Sequence, residues 1–340
     1  MNAEPLVNGT ARQVEIGGAL FQVRDLSPAD EDSLLRLHVH VFGPGATQAW
    51  YQWKYRVGGG LGSGVWHQGE LIAHCGGVPR TLWRQGRRQT GLQIGDVMVA
   101  PEWRGILTRR GPFFQASHAF YSAHVGDRFG HSIAYGFPSE RHLRLAVTLK
   151  LLWSAGPVHA LSWDVQAADR SGPGWAWSWH CLDPSDRQFD QSVDAAWQRM
   201  RAAGAALTFG ERDAAYVRWR YCERPDRRCS FFSLRRPWSP TPAGIAVLDI
   251  GASPVQWLDW IGDPAAILAA SRACVAEAGR AGAPSLTAWA SPVVTQSLQG
   301  AEVTSKSVTA WLGIPRASSL AEEDLAGMRW WLMGGDTDFL

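Results

Sequence analysis

The stretch VAPEWRGILTRRGPFF, from Val99 to Phe114, decides the fold of this chain. The residues just before it, Ile94–Ala100, have the pattern of a strand, and the pattern from Pro112 to Val125 predicts a helix. Backbone N–H groups at the start of a helix have no partner within the helix and lie at the positive end of its dipole. A loop that leads from a strand into such a helix is therefore suited to binding an anion.

Glycines and arginines in this loop support that interpretation. Gly105 and Gly111 allow the backbone to approach an anion closely. Arg104, Arg109 and Arg110 provide charged hydrogen-bond donors for phosphate. The alternative is an exposed basic turn. The combination of strand, glycine-flanked basic loop and helix favours the anion site.

The predicted elements on either side of the loop give an α+β order. A strand at Ala19–Asp25 precedes a helix that Ser27 caps, and antiparallel strands turn at Gln68-Gly69 and Gln85-Gly86. After the loop and its helix come a strand at Ser132–Phe137 and a second helix. A helix that follows directly on a run of antiparallel strands predicts a mixed sheet with helices packed on it.

The chain also contains two similar parts. Trp53-Lys54-Tyr55 returns as Trp219-Arg220-Tyr221. Further along, each copy has a strand with an aspartate five residues before a proline, Asp96 before Pro101 and Asp259 before Pro264. Each proline precedes a predicted helix, but only the first copy has the segment EWRGILTRRG in between. The spacing predicts an internal duplication with the ligand loop in the N-terminal copy alone.

Length and composition limit the class of protein. The chain has 340 residues, of which 46% are hydrophobic, so two domains with sizeable cores are expected. The net charge of +2 gives no electrostatic argument for nucleic-acid binding. The five cysteines include no CxxC pair, which predicts reduced thiols and no metal site. Neither a signal peptide nor a membrane span is evident, so we expect a soluble, cytoplasmic protein.

Four segments carry a resemblance to a known superfamily. Val99–Gly105 resembles the start of the acyl-CoA-binding motif V-x-P-x-[YW]-R-G of the GNAT (Gcn5-related N-acetyltransferase) superfamily. Tyr135–Glu140 is similar to the strand end G-F-P-N-E of one GNAT branch, and Leu143–Leu152 resembles the next helix of that branch. The N-terminal FQVRDLSPADEDSLLRL is a typical GNAT opening. The resemblance covers residues 18–155 and returns weakly between about 207 and 312.

The resemblance implies two tandem GNAT-like domains, each a mostly antiparallel sheet flanked by helices. We expect a flexible leader at 1–16, an N-terminal domain with the cofactor site at 17–160, and a connecting segment at 161–206. A second domain at 207–340 would lack the cofactor loop and include a C-terminal tail. Tandem folds with a cofactor site in the first copy alone are known in that branch, and the implied co-substrate is acetyl-CoA or another acyl-CoA.

The resemblance also implies which residues bind that co-substrate. The backbone of Met98 and Val99 would pair with the pantetheine arm, and Ser139 would lie near it. The loop would wrap the pyrophosphate. Its residues are Arg104, Gly105, Ile106, Leu107, Thr108, Arg109, Arg110 and Gly111.

The loop departs from the family pattern R-G-x-G-x-[GA], because Leu107 and Arg109 stand at the two small positions. It is a longer loop that still binds, a loop reshaped for another acyl carrier, or an inactive one. We favour the first, because the basic residues and the flanking Gly111 remain. Where many members have a tyrosine as general acid, the alignment places Ala146.

Two groups are candidates for the catalytic base. Asp96 lies two residues before Met98, although its counterpart Asp259 belongs to the copy without the loop, which allows a structural role for both. In some tandem relatives the chain end enters the site of the first domain. By that resemblance the carboxylate of Leu340 would be the base.

The sequence therefore predicts an N-acyltransferase that moves an acyl group from acyl-CoA to an amine of a small molecule or a peptide. A non-catalytic acyl-CoA sensor or scaffold is one alternative. The other is a transferase that uses an acyl carrier protein or an aminoacyl donor, since the acidic surface of a carrier protein would be attracted to the loop arginines. We expect no nucleic acid, membrane or metal as a partner.

Overall fold

The computed structural model describes residues 11–167, 172–337 and 340, and the chain forms two compact units. The first unit holds the chain up to Thr81 together with Gln89–Gly156 and Trp311–Gly327. The second unit holds Leu82–Arg88, Pro157–Ala310 and the residues from Met328 onward. Each unit is therefore assembled from separate parts of the sequence.

The strands form two seven-stranded sheets. In chain order they are β1 (Arg12–Ile16), β2 (Ala19–Asp25), β3 (Leu61–His67), β4 (Glu70–Arg84), β5 (Arg87–Val99), β6 (Ile133–Tyr135), β7 (Leu152–Asp164), β8 (Ser178–Leu182), β9 (Thr208–Gly210), β10 (Ser230–Arg235), β11 (Gly244–Asp249), β12 (Val255–Gly262), β13 (Ser285–Ala290) and β14 (Ser305–Pro315). One sheet has the order β1-β2-β3-β4-β5-β6, with β9 paired to β4, and the other has the order β14-β7-β13-β12-β11-β10-β8. Both combine antiparallel pairs with a parallel pair, β5–β6 in one sheet and β12–β13 in the other.

Helices pack on both sheets, which confirms the predicted α+β class. The α-helices are α1 (Glu31–Phe42), α2 (Gln48–Tyr51), α3 (Pro112–His124), α4 (Glu140–Thr148), α5 (Phe189–Ala203), α6 (Ala214–Val217), α7 (Ile267–Arg280), α8 (Pro292–Ser297) and α9 (Glu322–Ala326). In the first unit α3 packs against β2 and β3, and in the second α5 and α7 pack against β11 and β12. In the described part of the chain, no helix is long and apolar enough to cross a membrane.

Both predicted hairpin turns are present. Gln68 and Gly69 join β3 to β4 with φ values of 49° and 85°. Gln85 and Gly86 join β4 to β5 with φ values of 50° and 72°. Positive φ at both central residues is the geometry whose twist matches that of the flanking strands, so each turn brings consecutive strands into register.

The leader predicted at 1–16 is wrong for its last residues. Residues 1–10 lie outside the described part, but Arg12–Ile16 form β1, which pairs along its length with β2. Ile16 is buried in the core of the first unit. A five-residue strand next to a two-glycine turn carries too short a pattern to be distinguished from a loose end by sequence alone.

The connecting segment predicted at 161–206 is instead part of the second unit. It contains β8 and α5, and Phe189, Val193 and Trp197 of α5 are buried in the core of that unit. Leu82–Arg88 also belong to the second unit and Trp311–Gly327 to the first. Periodicity indicates that a strand or helix exists, but it does not specify which sheet the element joins.

The two units share a local order of elements. In the first, α2 continues as a π-helix over Gln52–Val57, and in the second, α6 continues as a π-helix over Arg218–Cys222. Each unit later runs from a long strand through a 3-10 turn into a helix and then a parallel strand, as β5, α3 and β6 in one and β12, α7 and β13 in the other. The recurring sequence landmarks therefore lie at equivalent places in the two units.

Candidate functional site

The candidate site begins where β5 and β6 separate. Their parallel ladder covers Gly91–Gln93 and Ile133–Tyr135, after which β5 continues to Val99. Gly136, the residue after β6, forms a bridge with Gly313 of β14. Among the described residues, no backbone hydrogen bond joins the last part of β5 to the chain that follows β6. The separation leaves the final part of β5 with main-chain groups available to an extended ligand.

The loop that follows β5 is exposed and packs on itself at one point. Gly111 donates a backbone hydrogen bond to Thr108 over 2.9 Å. A Cβ atom built on Gly111 would lie 1.8 Å from the carbonyl oxygen of Ile106, so glycine is required for this loop shape. Gly111 is also the N-cap of α3 and offers no side chain to its first turn. Pro112 has no N–H, so the amides of Phe113 and Phe114 are the uncapped donors of the first turn.

Two side chains outside the loop fix its second half. Arg12 on β1 donates to the side-chain oxygen of Gln115 over 2.7 Å. Gln115 on α3 in turn donates to the carbonyl oxygen of Arg109 over 2.6 Å. Neither residue can be found from the sequence, because Arg12 lies about 100 residues before Gln115 and neither belongs to a motif.

Three arginines surround the start of α3. Arg104, Arg109 and Arg110 are exposed. Arg104 uses its Nε to donate to the carbonyl oxygen of Val99, which connects the loop to the end of β5. Within the described ranges, none of the three forms an ion pair with an acidic side chain. Their charges are therefore available to a bound anion.

The charges of two of these arginines contribute to lowered pKa values of two histidines. Burial, and then the charges of Arg12 and Arg109, lower the pKa of His118 on α3. Burial, and then the charges of Arg141 and Arg104, lower the pKa of His142 on α4. The loop is thus flanked by α3 and the first turn of α4, and its surroundings are positively charged.

The other predicted binding residues lie along the same opening. Met98 is buried and Val99 is half-buried at the end of β5. Ser139 is the N-cap of α4, and its hydroxyl accepts a hydrogen bond from the amide of His142 over 3.4 Å. Ala146, which occupies the expected position of a tyrosine general acid, is buried within α4.

Asp96 lies in the separating part of β5 and is held from two sides. It has a φ of 49°, which interrupts the extended backbone in mid-strand. The Lys54 amine donates to its carboxylate over 2.8 Å and the Tyr55 hydroxyl over 2.5 Å. Burial acts to raise the pKa of Asp96, but the charge of Lys54 and these hydrogen bonds outweigh it, so the pKa lies below its ordinary value. A carboxylate held in this way is a weak base.

The second unit contains a similar arrangement. Tyr221 donates to Asp259 over 2.8 Å, as Tyr55 does to Asp96. Arg212 pairs with Asp259 over 2.9 Å. The register shift between β11 and β12 places a bulge next to Asp259. A tyrosine–aspartate pair at a backbone irregularity thus occurs in a unit without the basic loop, which favours a structural role for both aspartates.

Leu340 lies in the second unit. Its main-chain oxygen accepts hydrogen bonds from Arg220 over 2.5 Å and from Arg224 over 2.6 Å. Two guanidinium groups at one oxygen stabilise negative charge there and make it a poor proton acceptor. The catalytic roles of Asp96 and Leu340 stay predictions.

Sequence reasoning missed the partners of Asp96, although a signal existed. Trp53-Lys54-Tyr55 was noticed as a repeat, but its distance in sequence from Asp96 hid the contact. His74 had no such signal. Its Nδ1 donates to the carbonyl oxygen of Asp96 over 2.7 Å, and its ring packs where Gly62 and Gly76 leave space.

His74 makes the first unit sensitive to acid. Burial lowers its pKa to about 4 from 6.5, and Nε2 has no partner among the described residues. The neutral ring is favoured in the folded state, so its full contribution to stability is present above pH 6.5 and is lost as the pH falls toward 4. Between pH 7 and pH 5 we expect a loss of about 2 kcal/mol in the free energy of unfolding.

Urea denaturation at both pH values tests this expectation. His74→Asn keeps a donor for the Asp96 carbonyl but cannot titrate, so its loss between pH 7 and pH 5 should be smaller by about 2 kcal/mol. Equal losses in the wild type and the variant would contradict the assignment to His74. Other histidines contribute equally to both proteins and cancel in the comparison.

In the described part of the chain, no group of three or more histidine, cysteine, aspartate or glutamate side chains is placed to hold a metal ion. The site is thus made of main-chain groups, a helix start and arginines, which is the composition of an anion-binding fold element. Fold and site together are those of an α+β protein in which two parallel strands separate next to a basic helix start.

Comparisons with known proteins identify the superfamily. The sequence model of the acetyltransferase (GNAT) domain matches residues 22–143. The N-terminal part of the chain therefore matches a domain of the GNAT superfamily, the superfamily that the sequence motifs predicted. None of the curated proteins matches the sequence.

Solved structures share the fold over most of the chain. A protein of Enterococcus faecalis V583, described as a probable N-acyltransferase, has 11% identity and a TM-score of 0.66, with 88% of this chain and 73% of that chain covered. A GCN5-related N-acetyltransferase of Kribbella flavida has 17% identity and a TM-score of 0.61, with 86% and 70% covered. N-myristoyltransferase of Saccharomyces cerevisiae, solved with bound myristoyl-CoA, has 9% identity and a TM-score of 0.54, with 87% and 77% covered.

Proposed function

We propose that the first unit binds acyl-CoA and transfers its acyl group to an amine. The observation that carries this proposal is the separation of β5 from β6 next to a loop before α3 whose three exposed arginines form no ion pair with any described residue. An acyl-CoA has a long pantetheine arm with amide groups and a pyrophosphate. A strand with available main-chain groups suits the first, and a basic helix start suits the second.

The proposed contacts follow the order of the ligand. Main-chain groups of Met98 and Val99 would pair with the pantetheine amides, and Ser139 at the start of α4 would lie near them. The segment Arg104–Gly111 would surround the pyrophosphate, with arginine side chains in place of some of the backbone contacts that small residues allow. The match of residues 22–143 to the acetyltransferase (GNAT) domain supports an acyl-CoA as the ligand.

Acyl transfer from a thioester to an amine needs few catalytic groups from the protein. The neutral amine attacks the thioester carbonyl, the carbon–sulfur bond breaks, a base takes the amine proton and the leaving thiolate takes a proton. Main-chain N–H groups of β5 near the split would polarise the carbonyl. For Asp96 we propose a positioning role, because its carboxylate is already bound by Lys54 and Tyr55 while its backbone sets the course of β5 toward Met98.

Removal of two loop arginines should weaken binding. We expect Arg109→Ala/Arg110→Ala to reduce the affinity for acetyl-CoA at least tenfold, about 1.4 kcal/mol, because two charge-assisted contacts are lost. Calorimetry measures the affinity. The control is Arg36→Ala/Arg87→Ala, which removes two exposed arginines, one from α1 and one from the start of β5. If both pairs weaken binding equally, the effect is one of net charge and the assigned loop is wrong.

A non-catalytic acyl-CoA sensor is the second candidate function, favoured by the buried Ala146 in place of a tyrosine general acid. Release of free CoA thiol from acetyl-CoA, with a panel of small amines and peptides, distinguishes the two. Amine-dependent thiol release supports the transferase. Tight binding without release above the rate in buffer, across the panel, supports the sensor.

A further inference from the structure

The strands β12 and β13 of the second unit also separate, and a segment of the same chain lies between them. Their parallel ladder covers Val255–Trp257 and Leu286–Ala288, after which β12 continues to Gly262. The segment Trp331–Thr337, called the tail segment from here on, is buried along its whole length. It contacts β12 and β13, so it occupies the place that is open between β5 and β6 in the first unit.

Backbone pairing joins the tail segment to β13. Met333 forms an antiparallel bridge with Ala290, the last residue of β13. The amide of Ser291 donates to the carbonyl oxygen of Leu332 over 3.0 Å. The hydroxyl of Ser291 donates over 2.6 Å to the carbonyl oxygen of Trp330, the residue directly before the tail segment. On the other side, the position of a Cβ on Gly334 lies 3.6 Å from the carbonyl oxygen of Leu258 in β12.

Charged and polar side chains of the second unit bind the rest of the segment. Arg220 donates to the carbonyl oxygen of Gly335 over 3.1 Å and to that of Thr337 over 2.6 Å. Arg212 donates to the carboxylate of Asp336 over 2.5 Å. Both arginines are almost fully buried. Buried guanidinium groups are costly unless they are paired, so the unit depends on this segment to satisfy them.

One position in the segment accepts glycine alone. A Cβ built on Gly335 would lie 1.9 Å from the hydroxyl oxygen of Tyr221 and 3.3 Å from the carboxylate of Asp259. Both partners are themselves buried and bound to each other, so they have no room to move aside. The space between β12 and β13 therefore selects for a glycine followed by an acidic residue.

We propose that the separation between β12 and β13 is a peptide-binding cleft, specific for a segment that carries glycine followed by an acid in a 3-10 turn, and that the tail segment is its resident ligand. Main-chain hydrogen bonds with β13, Ser291 and Arg220 supply affinity, and the Tyr221 and Arg212 contacts supply specificity. Every contact lies within the second unit. The inference is thus independent of the acyl-CoA site proposed for the first.

A peptide added in trans tests the cleft. A chain that ends after Arg329 should lose thermal stability and should bind a synthetic peptide of Trp330–Leu340 at one per chain, with recovery of most of the lost stability. A peptide with Gly335→Val should bind at least 100-fold more weakly, and one with Asp336→Asn at least tenfold more weakly. A Gly335→Val peptide that binds as well as the native one, or a truncated chain of unchanged stability that binds no peptide, overturns the proposal.

Digestion of the full-length chain by carboxypeptidase tests the proposal if the truncated chain does not fold. Carboxypeptidase should remove residues from the end of Gly335→Val at least tenfold faster than from the wild type, because the segment no longer fits the cleft. Gly251→Val is the control, since a Cβ there lies 3.6 Å from its nearest neighbour. Equal rates of digestion through the segment in the wild type and in Gly335→Val overturn the proposal.

Discussion

Lys54→Met should destabilise the first unit by about 3–5 kcal/mol. The substitution removes the cation that pairs with Asp96 and leaves a buried carboxylate with the Tyr55 hydroxyl. Both charged side chains are largely excluded from water, with Lys54 3% and Asp96 8% exposed. The loss of one partner of a buried pair costs this much because the other charge stays buried and uncompensated. Urea denaturation at neutral pH measures the free energy of unfolding.

A double variant distinguishes this cause from a simple loss of packing. Lys54→Met/Asp96→Asn also removes the negative charge that Lys54→Met leaves buried without its cation. Asparagine tolerates the positive φ at position 96. The double variant should recover a large part of the stability lost in Lys54→Met. A cost below about 1 kcal/mol for Lys54→Met would show that Asp96 is not held by the ion pair.

The same residues separate a positioning role from a catalytic one. If Asp96 positions β5, Asp96→Asn should keep turnover within a few fold, since the amide fits the same backbone conformation, and Lys54→Met should mainly weaken acetyl-CoA binding. If Asp96 is the base, Asp96→Asn should keep the affinity and lose turnover by about 100-fold or more. Parallel measurement of affinity and turnover in the two variants decides between these roles.

Gly111→Ala should nearly abolish acyl-CoA binding without unfolding the protein. The added methyl group collides with the carbonyl oxygen of Ile106, which is a backbone atom and cannot turn away without opening the loop. Gly111 itself is buried at the base of the loop, but the residues before it, Leu107–Arg110, are exposed, so the loop can change shape without disrupting a core. We expect at least a 100-fold loss of affinity for acetyl-CoA, about 2.8 kcal/mol, measured by calorimetry.

Gly327→Ala is the matched control for this loss. Gly327 also lies in the first unit and has a φ of −89°, and a Cβ there has its nearest neighbour at 3.9 Å. It should bind acetyl-CoA like the wild type. If Gly111→Ala retains wild-type affinity, the observed loop shape is not the one that binds the ligand.

The sequence predicted the parts of the fold that depend on local patterns. The helix after the loop, the two hairpin turns and the parallel strand after the helix follow from capping residues, turn residues and periodicity. The match of residues 22–143 to the GNAT domain confirms the superfamily that the motifs indicated. The repeat of Trp53-Lys54-Tyr55 correctly pointed to equivalent elements in the two units.

The sequence could not show how distant segments combine. Leu82–Arg88 belong to the second unit and Trp311–Gly327 to the first. This assignment depends on sheet pairing, which has no local sequence pattern. The contacts of Arg12 with Gln115 and of Lys54 with Asp96 join residues far apart in the chain. The sequence predicts a C-terminal tail, but the place of the tail segment between β12 and β13 depends on the shape of a cleft that only the folded unit has.

The proposed function depends on acyl-CoA binding by the first unit at the split between β5 and β6. Calorimetric titration of the wild-type protein with acetyl-CoA tests it most directly. We predict saturable binding at one ligand per chain, because the second unit has no basic loop before α7 and its own split is filled by the tail segment. No detectable binding of acetyl-CoA or of longer acyl-CoAs would contradict the claim, and the proposed function would be withdrawn with it.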